Sequence, residues 1–121
     1  MLPINGFRTL RLAIASTLLL FLLYFLYEMA FNLPTSFAVF WGEVWGRVVF
    51  VDLALGIAMF SVWVVYREAS LLRSLPWLTS FVVLGNGGTL LYLLVALWRV
   101  ESTGDLPRFF HGRRYEKEAP A

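Results

Sequence analysis

The sequence has no cysteine and one histidine, and only 15% of its residues are charged. Without cysteine there is no disulfide, thiol nucleophile, iron–sulfur cluster or thiolate metal site. The single histidine, His111, lies in the C-terminal segment, so the apolar runs offer no histidine ligand for haem. No histidine or cysteine accompanies the carboxylates Glu28 and Asp52. The sequence therefore predicts a protein that is not an enzyme and has no cofactor or metal site.

Apolar residues are abundant instead, since 60% of the 121 residues are hydrophobic and 17% are aromatic. A soluble domain has about 45–50% apolar residues. The excess falls in continuous runs, which is typical of a membrane protein. The formal net charge of +2 is too small and too dispersed to indicate a nucleic-acid surface. We therefore expect a lipid bilayer, and no nucleic acid, around this chain.

Three apolar runs, residues 12–31, 47–66 and 76–98, each have about the 20 residues that cross 30 Å of hydrocarbon. The first has no clear small-residue cleavage site, so we interpret it as a retained helix and not as a signal peptide. The sequence predicts an all-α polytopic membrane protein, a bundle of three transmembrane helices forming one domain over residues 1–99. Because the link 67–76 is short, helices 2 and 3 are predicted to form an antiparallel hairpin.

The segments outside the three runs have their own composition. Residues 32–46 carry aromatic side chains that suit the headgroup layer, namely Phe37, Phe40, Trp41 and Trp45. Aromatic residues near the span ends fit the same interfacial belt: Trp63, Tyr66, Trp77, Tyr92 and Trp98. Residues 100–121 are polar and contain Gly and Pro, which predicts a mobile tail. Its candidates for contact with lipid phosphates or a partner protein are Arg108, His111, Arg113 and Arg114.

The basic residues give a divided indication of orientation. With three crossings, the N-terminus and the 67–76 link lie on one side of the membrane, with Arg8, Arg11, Arg67 and Arg73, and the basic tail lies on the other. Arginines before the first helix favour a cytoplasmic N-terminus, whereas the tail favours the opposite orientation. The sequence predicts a multi-pass protein with its N-terminus in the cytoplasm.

Asp52 lies inside the second apolar run, where an ionised carboxylate costs about 2.5–3.5 kcal/mol or more. Counting helical rises from the 67–76 link brings five polar residues to one level in the half of the membrane away from that link: Tyr24, Glu28, Asp52, Asn86 and Thr89. Three interpretations of Asp52 stay open. It forms a hydrogen bond that joins helices, it belongs to an ion, proton or ligand site, or it binds a partner subunit.

Glycines form the second unusual feature, and they are concentrated in "VLGNGGT", residues 83–89. Gly85 and Gly88, together with Gly56 one turn from Asp52, predict sites of close helix packing. The alternative is a locally unwound helix whose carbonyl groups line a substrate or cation site.

The order of "VDLALGIAMFSVWVVYRE", "PW" and "LGNGGTLLYLLVALWR" resembles a family of small integral-membrane proteins with about three helices, known as a domain of unknown function. The resemblance covers roughly residues 47–99. It rests on Asp52, Gly56, Trp63, Arg67, Glu68, Trp77, Gly85, Asn86 and Tyr92. It implies a fold and a membrane location, and it transfers no mechanism.

Two functional hypotheses follow from these features. The small size and the missing catalytic set favour a non-catalytic accessory or assembly subunit that docks on a larger membrane complex. The alternative is a small transporter or channel that uses Asp52, Glu28 and Asn86. Three helices seldom enclose a pathway alone, so the alternative requires a homo-oligomer. Both hypotheses require other chains, either partner subunits or further copies of this one.

Overall fold

The computed structural model describes residues 4–98 and 100–118, with the side chains of residues 4, 5 and 33–37, and so of Phe37, outside the description. Every regular element in these two ranges is helical, which confirms the all-α prediction. The elements are α1 (Ile4–Phe31), α2 (Leu33–Gly42), α3 (Val44–Glu68), α4 (Leu71–Leu84), α5 (Asn86–Leu97), α6 (Leu106–His111) and α7 (Arg113–Glu118), with a 3-10 turn at Thr103–Asp105 before α6.

Two of the helices are long and apolar enough to span a membrane, over Gly6–Phe31 in α1 and Val44–Glu68 in α3. They contain the predicted spans 12–31 and 47–66. Both helices are mostly exposed, since only 6% of the most apolar 18-residue stretch of each is buried. Their apolar side chains therefore form an outer surface, unlike the core helix of a soluble protein.

Gly85 interrupts the third apolar run. Its φ of 57° and ψ of −128° form a conformation that a residue with a Cβ rarely adopts, so α4 ends at Leu84 and α5 begins at Asn86. Here the structure departs from the prediction of one helix over 76–98. The two helices have 14 and 12 residues. Each is about 20 Å long, which is too short to cross about 30 Å of hydrocarbon.

The chain reverses direction at Gly85, so that α4 and α5 form a helical hairpin. The ring centres of Trp77 and Tyr92 are 5.0 Å apart, although the two residues lie on opposite sides of the glycine. Gly88 packs directly on the backbone of Ser80. The turn is possible because a side chain at position 88 would collide with α4. The hairpin is therefore about half as long as one continuous helix over the same residues would be.

The core lies at two places where helices meet. Val64, Phe81 and Tyr92 form a buried cluster between α3, α4 and α5. Tyr92 is 1% exposed, so it is a core residue and not the interfacial belt residue that the sequence predicted. A second cluster, of Phe7, Leu97 and Val100, joins the start of α1 to the end of α5.

These contacts define two ends of the molecule. The near end contains the start of α1, the end of α3, the end of α5, and α6 and α7. The far end contains α2 and the ends of α1 and α3 that it joins. At the far end Arg47 donates to the carbonyls of Trp41, at 3.0 Å, and Gly42, at 3.2 Å. Arg47 thereby caps α2, which lies within the predicted interfacial segment 32–46.

The C-terminal segment folds back over the near end. Trp63 Nε1 donates to the carbonyl of Phe110 at 3.1 Å, and the Tyr66 hydroxyl lies 2.8 Å from His111 Nδ1. The sequence predicted a polar mobile tail over 100–121, and the described residues 100–118 instead form helices packed on α3. The aromatic residues of this segment provide the apolar contacts that a solvated tail lacks.

The three glycines predicted for close packing behave differently. A Cβ built on Gly88 would lie 2.7 Å from the Ser80 carbonyl oxygen, so Gly88 is a close contact between α5 and α4. A Cβ on Gly56 or on Gly85 would meet nothing within 4 Å, so neither glycine is a close contact among the described residues. Gly85 serves the chain reversal through its positive φ, and Gly56 lies exposed on α3.

We expect Gly88→Ala to lower the free energy of unfolding by about 1–3 kcal/mol, because the new Cβ meets backbone atoms that cannot rotate away. Gly56→Ala is the matched control. It adds the same atom in open space and replaces glycine by a better helix former, so we expect no loss of stability. Unfolding by SDS titration in mixed micelles measures both variants. Equal losses in the two would contradict the hairpin contact.

Candidate functional site

The predicted polar cluster is not assembled around Asp52. The Asp52 side chain is exposed and makes no hydrogen bond or ion pair with any residue that the structure describes. The predicted bonds to Tyr24, Asn86 or Thr89 are therefore not formed. Thr89 donates instead to the Asn86 carbonyl at 2.9 Å, within its own helical turn, and the Asn86 side chain is exposed.

One part of the predicted cluster is present on α1. The Tyr24 side chain lies beside Glu28, one turn further along the helix. Asn32 Nδ2 donates to Glu28 Oε2 at 2.8 Å, again four residues on. These contacts follow from the (i, i+4) spacing on one helix face. They occupy Glu28 within α1 and do not join α1 to α3.

The broken third helix explains why Asp52 has no hydrogen-bond or ion-pair partner among the described residues. Asp52 lies about 24 Å from the Glu68 end of α3, whereas α4 extends only about 21 Å from the same end. The hairpin therefore turns back before it reaches the level of Asp52. Thr89, which the sequence places opposite Asp52 in a continuous helix, lies on the returning arm. By these lengths the part of α3 from 44 to 53 extends beyond the hairpin.

The structure assembles a different polar group, at the near end, around Glu68. The Glu68 side chain is only 11% exposed, and both its oxygens are used. The Tyr92 hydroxyl donates to Oε1 at 2.9 Å, and Arg113 Nε donates to Oε2 at 3.2 Å. One carboxylate thus connects α3 to α5 and to α7. We call Arg67, Glu68, Tyr92 and Arg113 the near-end clasp.

Arg67, the other cation of the near-end clasp, is surrounded by three aromatic rings. Its Nε donates to the Phe109 carbonyl at 2.6 Å, and its Nη1 donates to the Tyr92 hydroxyl at 3.0 Å. The guanidinium carbon lies 5.5 Å from the ring centre of Tyr92, 5.8 Å from that of Phe109 and 5.9 Å from that of Trp63. The ring faces attract the cation, and Nη1 is 3.7 Å from Glu68 Oε1. Arg67 therefore joins α3, α5 and α6.

A cleft of about 370 Å³ lies beside the near-end clasp. Its charged lining consists of three arginines and three carboxylates, namely Arg67, Arg108, Arg113, Glu68, Asp105 and Glu116. Arg108 Nη2 lies 2.7 Å from Glu116 Oε1. Backbone N–H groups of Glu101 and Ser102 donate to Asp105, and these bonds hold the pKa of its carboxyl below the ordinary value. The charges of the cleft are balanced and largely satisfied within the chain, which suits a structural junction.

The three carboxylates of the cleft do not gather into a candidate metal site. Across residues 4–98 and 100–118, no three His, Cys, Asp or Glu side chains gather closely enough to hold an ion. The four tail residues predicted to contact lipid or a partner all have contacts inside the chain. Arg108 pairs with Glu116 and Arg113 with Glu68, His111 contacts Tyr66, and the Arg114 guanidinium lies 4.5 Å from the Tyr66 ring centre. The three arginines remain about half exposed, so lipid contact by their outer faces stays a prediction.

The residue patterns of the sequence did not predict the near-end clasp. Arg67, Glu68 and Tyr92 entered only through the family resemblance. The available signal was an adjacent Arg–Glu pair at the end of an apolar run, followed within 50 residues by a segment rich in arginine. That signal places charge near a membrane surface, but it does not specify which carboxylate binds which arginine.

Comparison with known proteins gives no relative, since no family model, no curated protein and no solved structure matches this chain. The resemblance to a domain of unknown function therefore stays a prediction.

Proposed function

We propose that this chain is an integral membrane protein in which α1 and α3 cross the bilayer, while the α4–α5 hairpin enters it from the near end without crossing. The exposed apolar surface of α3 supports this proposal. Met59 and Val62 are 76% and 72% exposed in the middle of a 25-residue apolar helix. Such a surface is stable in hydrocarbon and unfavourable in water. Because α3 lies in the middle of the chain, it is not a cleavable signal sequence.

The distribution of cations supports an orientation with the near end in the cytoplasm. The described cations of the near end are Arg8, Arg11, Arg67, Arg73, Arg108, Arg113, Arg114 and Lys117. Arg47 is at the far end. Lys and Arg are enriched on the cytoplasmic side of membrane proteins. With two crossings, the start of α1 and the C-terminal helices both face the cytoplasm, so the basic tail no longer opposes the indication from the N-terminal arginines.

For the function itself, we propose a non-catalytic accessory or assembly subunit that docks on a larger membrane complex. One observation carries the proposal: every residue of α3 from 44 to 56 is exposed except Gly46, which packs on Phe40 of α2, and this exposed stretch includes the carboxylate of Asp52. Lipid provides no hydrogen-bond donor for a carboxylate at this depth. Another protein chain can provide the donor and cover the surface.

The transporter alternative has less support. It requires Asp52, Glu28 and Asn86 to line one pathway, and within one chain Asp52 is exposed while Glu28 is engaged by its neighbours on α1. A pathway would therefore have to form between several copies. No contact among the described residues favours that arrangement.

Purification from the source membrane in a mild detergent, followed by mass spectrometry of the intact assembly, tests the accessory function. We expect a complex of fixed stoichiometry with unrelated membrane subunits. The same preparation made with Glu116→Ala, a change on the exposed surface of the near end, is the control and should give the same complex. A particle that contains only copies of this chain would contradict the proposal and favour the transporter. A monomer would contradict both.

A further inference from the structure

We propose that α3 binds a transmembrane helix of a different protein through the face that carries Trp45, Asp52, Gly56 and Met59, and that the bound helix presents a Lys or Arg side chain to Asp52. This inference deepens the accessory function proposed above and rests on it. It names the surface that docks and the chemistry that recognises it.

The face is exposed along more than half of α3. Trp45 and Met59 are 78% and 76% exposed, and Asp52 and Gly56 lie between them on the same side of the helix. A Cβ on Gly56 would meet nothing within 4 Å, so the helix surface has a shallow gap one turn from the carboxylate. A glycine at this place allows the backbone of another helix to come close. The face thus combines a gap, apolar flanks and one charge.

The depth of Asp52 decides which partner chemistry fits. Asp52 lies about 12 Å from the Val44 end of α3, which places it inside the hydrocarbon when the 25-residue helix crosses the bilayer. Water and lipid headgroups do not reach that level in quantity. The attraction between opposite charges is far stronger in this medium than in water. A basic side chain of a neighbouring helix is therefore the group that best stabilises the carboxylate.

The cations that the structure describes do not reach Asp52. Arg47 is five residues away and points to a different side of α3, where it donates to the carbonyls of Trp41 and Gly42. The other described cations lie at the near end, about 24 Å from Asp52 along α3. None of the described cations can therefore pair with Asp52, and a neighbouring chain is the source that we propose.

A second copy of this chain is a poorer occupant. In a two-fold symmetric dimer through this face, the same residues meet, so Asp52 would lie against Asp52. Two carboxylates that share a dry site cannot both be ionised. A copy also presents no Lys or Arg at the depth of Asp52 among its described residues. Charge complementarity therefore selects a different protein.

Photo-crosslinking in the native membrane tests the inference. The full chain is expressed with a photoactivatable residue in place of Met59, on the proposed face, and in a parallel strain in place of Ala54, which is also exposed and lies about 140° round α3 from Met59. Position 59 is then combined with Asp52, Asp52→Glu, Asp52→Asn and Asp52→Leu. Crosslinked partners are identified by mass spectrometry of the joined peptides.

We expect one membrane protein to be joined at position 59 in much higher yield than at position 54, by a peptide with a Lys or Arg inside its membrane span. Asp52→Asn and Asp52→Leu should lower the yield at least about tenfold, or 1.4 kcal/mol, and Asp52→Glu should keep most of it. Asn has the shape of Asp without its charge. A lower crosslink yield in Asp52→Asn therefore indicates ion pairing and not packing. Exchange of the identified basic residue for Asp, together with Asp52→Lys, should restore the crosslink.

Each other result overturns the inference in a distinguishable way. An unchanged yield in Asp52→Asn, or a joined peptide without a basic residue in its span, excludes the ion pair. Crosslinks only between copies of this chain show self-association. A complex that purifies intact but is not joined at position 59 excludes this face and leaves the accessory function standing. The absence of any complex overturns both proposals.

Discussion

Glu68→Ala is expected to lower the free energy of unfolding by about 3–5 kcal/mol, the range found when one member of a buried charge pair is removed. The substitution deletes the acceptor of the Tyr92 hydroxyl and of Arg113 Nε. It also leaves the guanidinium of Arg67, which is 14% exposed, without a carboxylate beside it. The loss exceeds that of one hydrogen bond because a nearly buried cation then has no counter-charge.

The measurement is SDS-induced unfolding in mixed micelles, with Glu116→Ala as the matched control. Glu116 also pairs with an arginine, at 2.7 Å, but both side chains are more than half exposed. Exposed ion pairs contribute at most about 1 kcal/mol, so the control should change little. Glu68→Gln keeps one acceptor and should fall between the two. Equal effects of the two alanine variants would show that burial of the near-end clasp does not stabilise the fold.

The near-end clasp also explains why the C-terminal segment could not be understood from its composition. Residues 100–121 are polar and contain glycine and proline, a pattern typical of mobile tails. The segment is fixed by contacts with residues 42 to 47 positions earlier, such as Phe109 with Arg67 and Phe110 with Trp63. Contacts over such separations leave no periodicity in the sequence. They depend on where α3 ends in space.

The two long helices could be predicted because their signal is local. A run of about 20 apolar residues forms a helix of membrane length whatever surrounds it, and α1 and α3 contain the predicted spans 12–31 and 47–66. The third run, 76–98, satisfies the same length criterion and still forms two helices. Its outcome depends on whether Gly88 can pack on Ser80 and whether Tyr92 can pack on Trp77. Length and hydropathy do not report such contacts.

The predicted polar cluster around Asp52 is wrong because the prediction of one continuous helix over 76–98 is wrong. A continuous helix over 76–98 would place Thr89 beside Asp52, and the counting of rises was correct for that geometry. The hairpin removes this neighbour and leaves the carboxylate exposed. The same break therefore changes the interpretation of Asp52 from a residue that joins helices within the chain to one that is free to bind another chain. The interpretation as a partner contact was among the three that the sequence left open.

The two ends of the molecule differ in a way that fits docking. At the near end, charged groups are paired across helices. The fold is also stabilised there by two buried clusters, one of Val64, Phe81 and Tyr92 and one of Phe7, Leu97 and Val100. Beyond the hairpin tip, α3 has neither a core nor a partner for its carboxylate among the described residues. A fold that is stabilised at one end can keep the other end free for association. The exposed part of α3 can bind another chain because the stability of the isolated fold does not depend on it.

Single introduced cysteines are expected to show that the chain crosses the membrane twice. The sequence has no cysteine, so each introduced residue is the only thiol. We expect Arg73→Cys, in the first turn of α4, and Glu101→Cys, after α5, to react with a membrane-impermeant maleimide from the same side. Glu43→Cys, between α2 and α3, should react only from the opposite side. All three positions are exposed in the structure.

The expected effect is close to all-or-none, because a maleimide that cannot cross the bilayer labels one face of sealed vesicles. Labelling before and after permeabilisation, in right-side-out and inside-out vesicles, gives the accessible fraction at each position. Arg73→Cys and Glu43→Cys calibrate the two faces, since α3 separates them in either topology. Position 101 then decides. With a hairpin at Gly85 the chain returns to the side of Arg73, whereas one continuous helix over 76–98 would carry position 101 to the side of Glu43. If position 101 is labelled from the same side as Glu43→Cys, the chain crosses the membrane three times. Thr89 then lies at the level of Asp52, and there is no reason to seek the partner of that carboxylate in another chain.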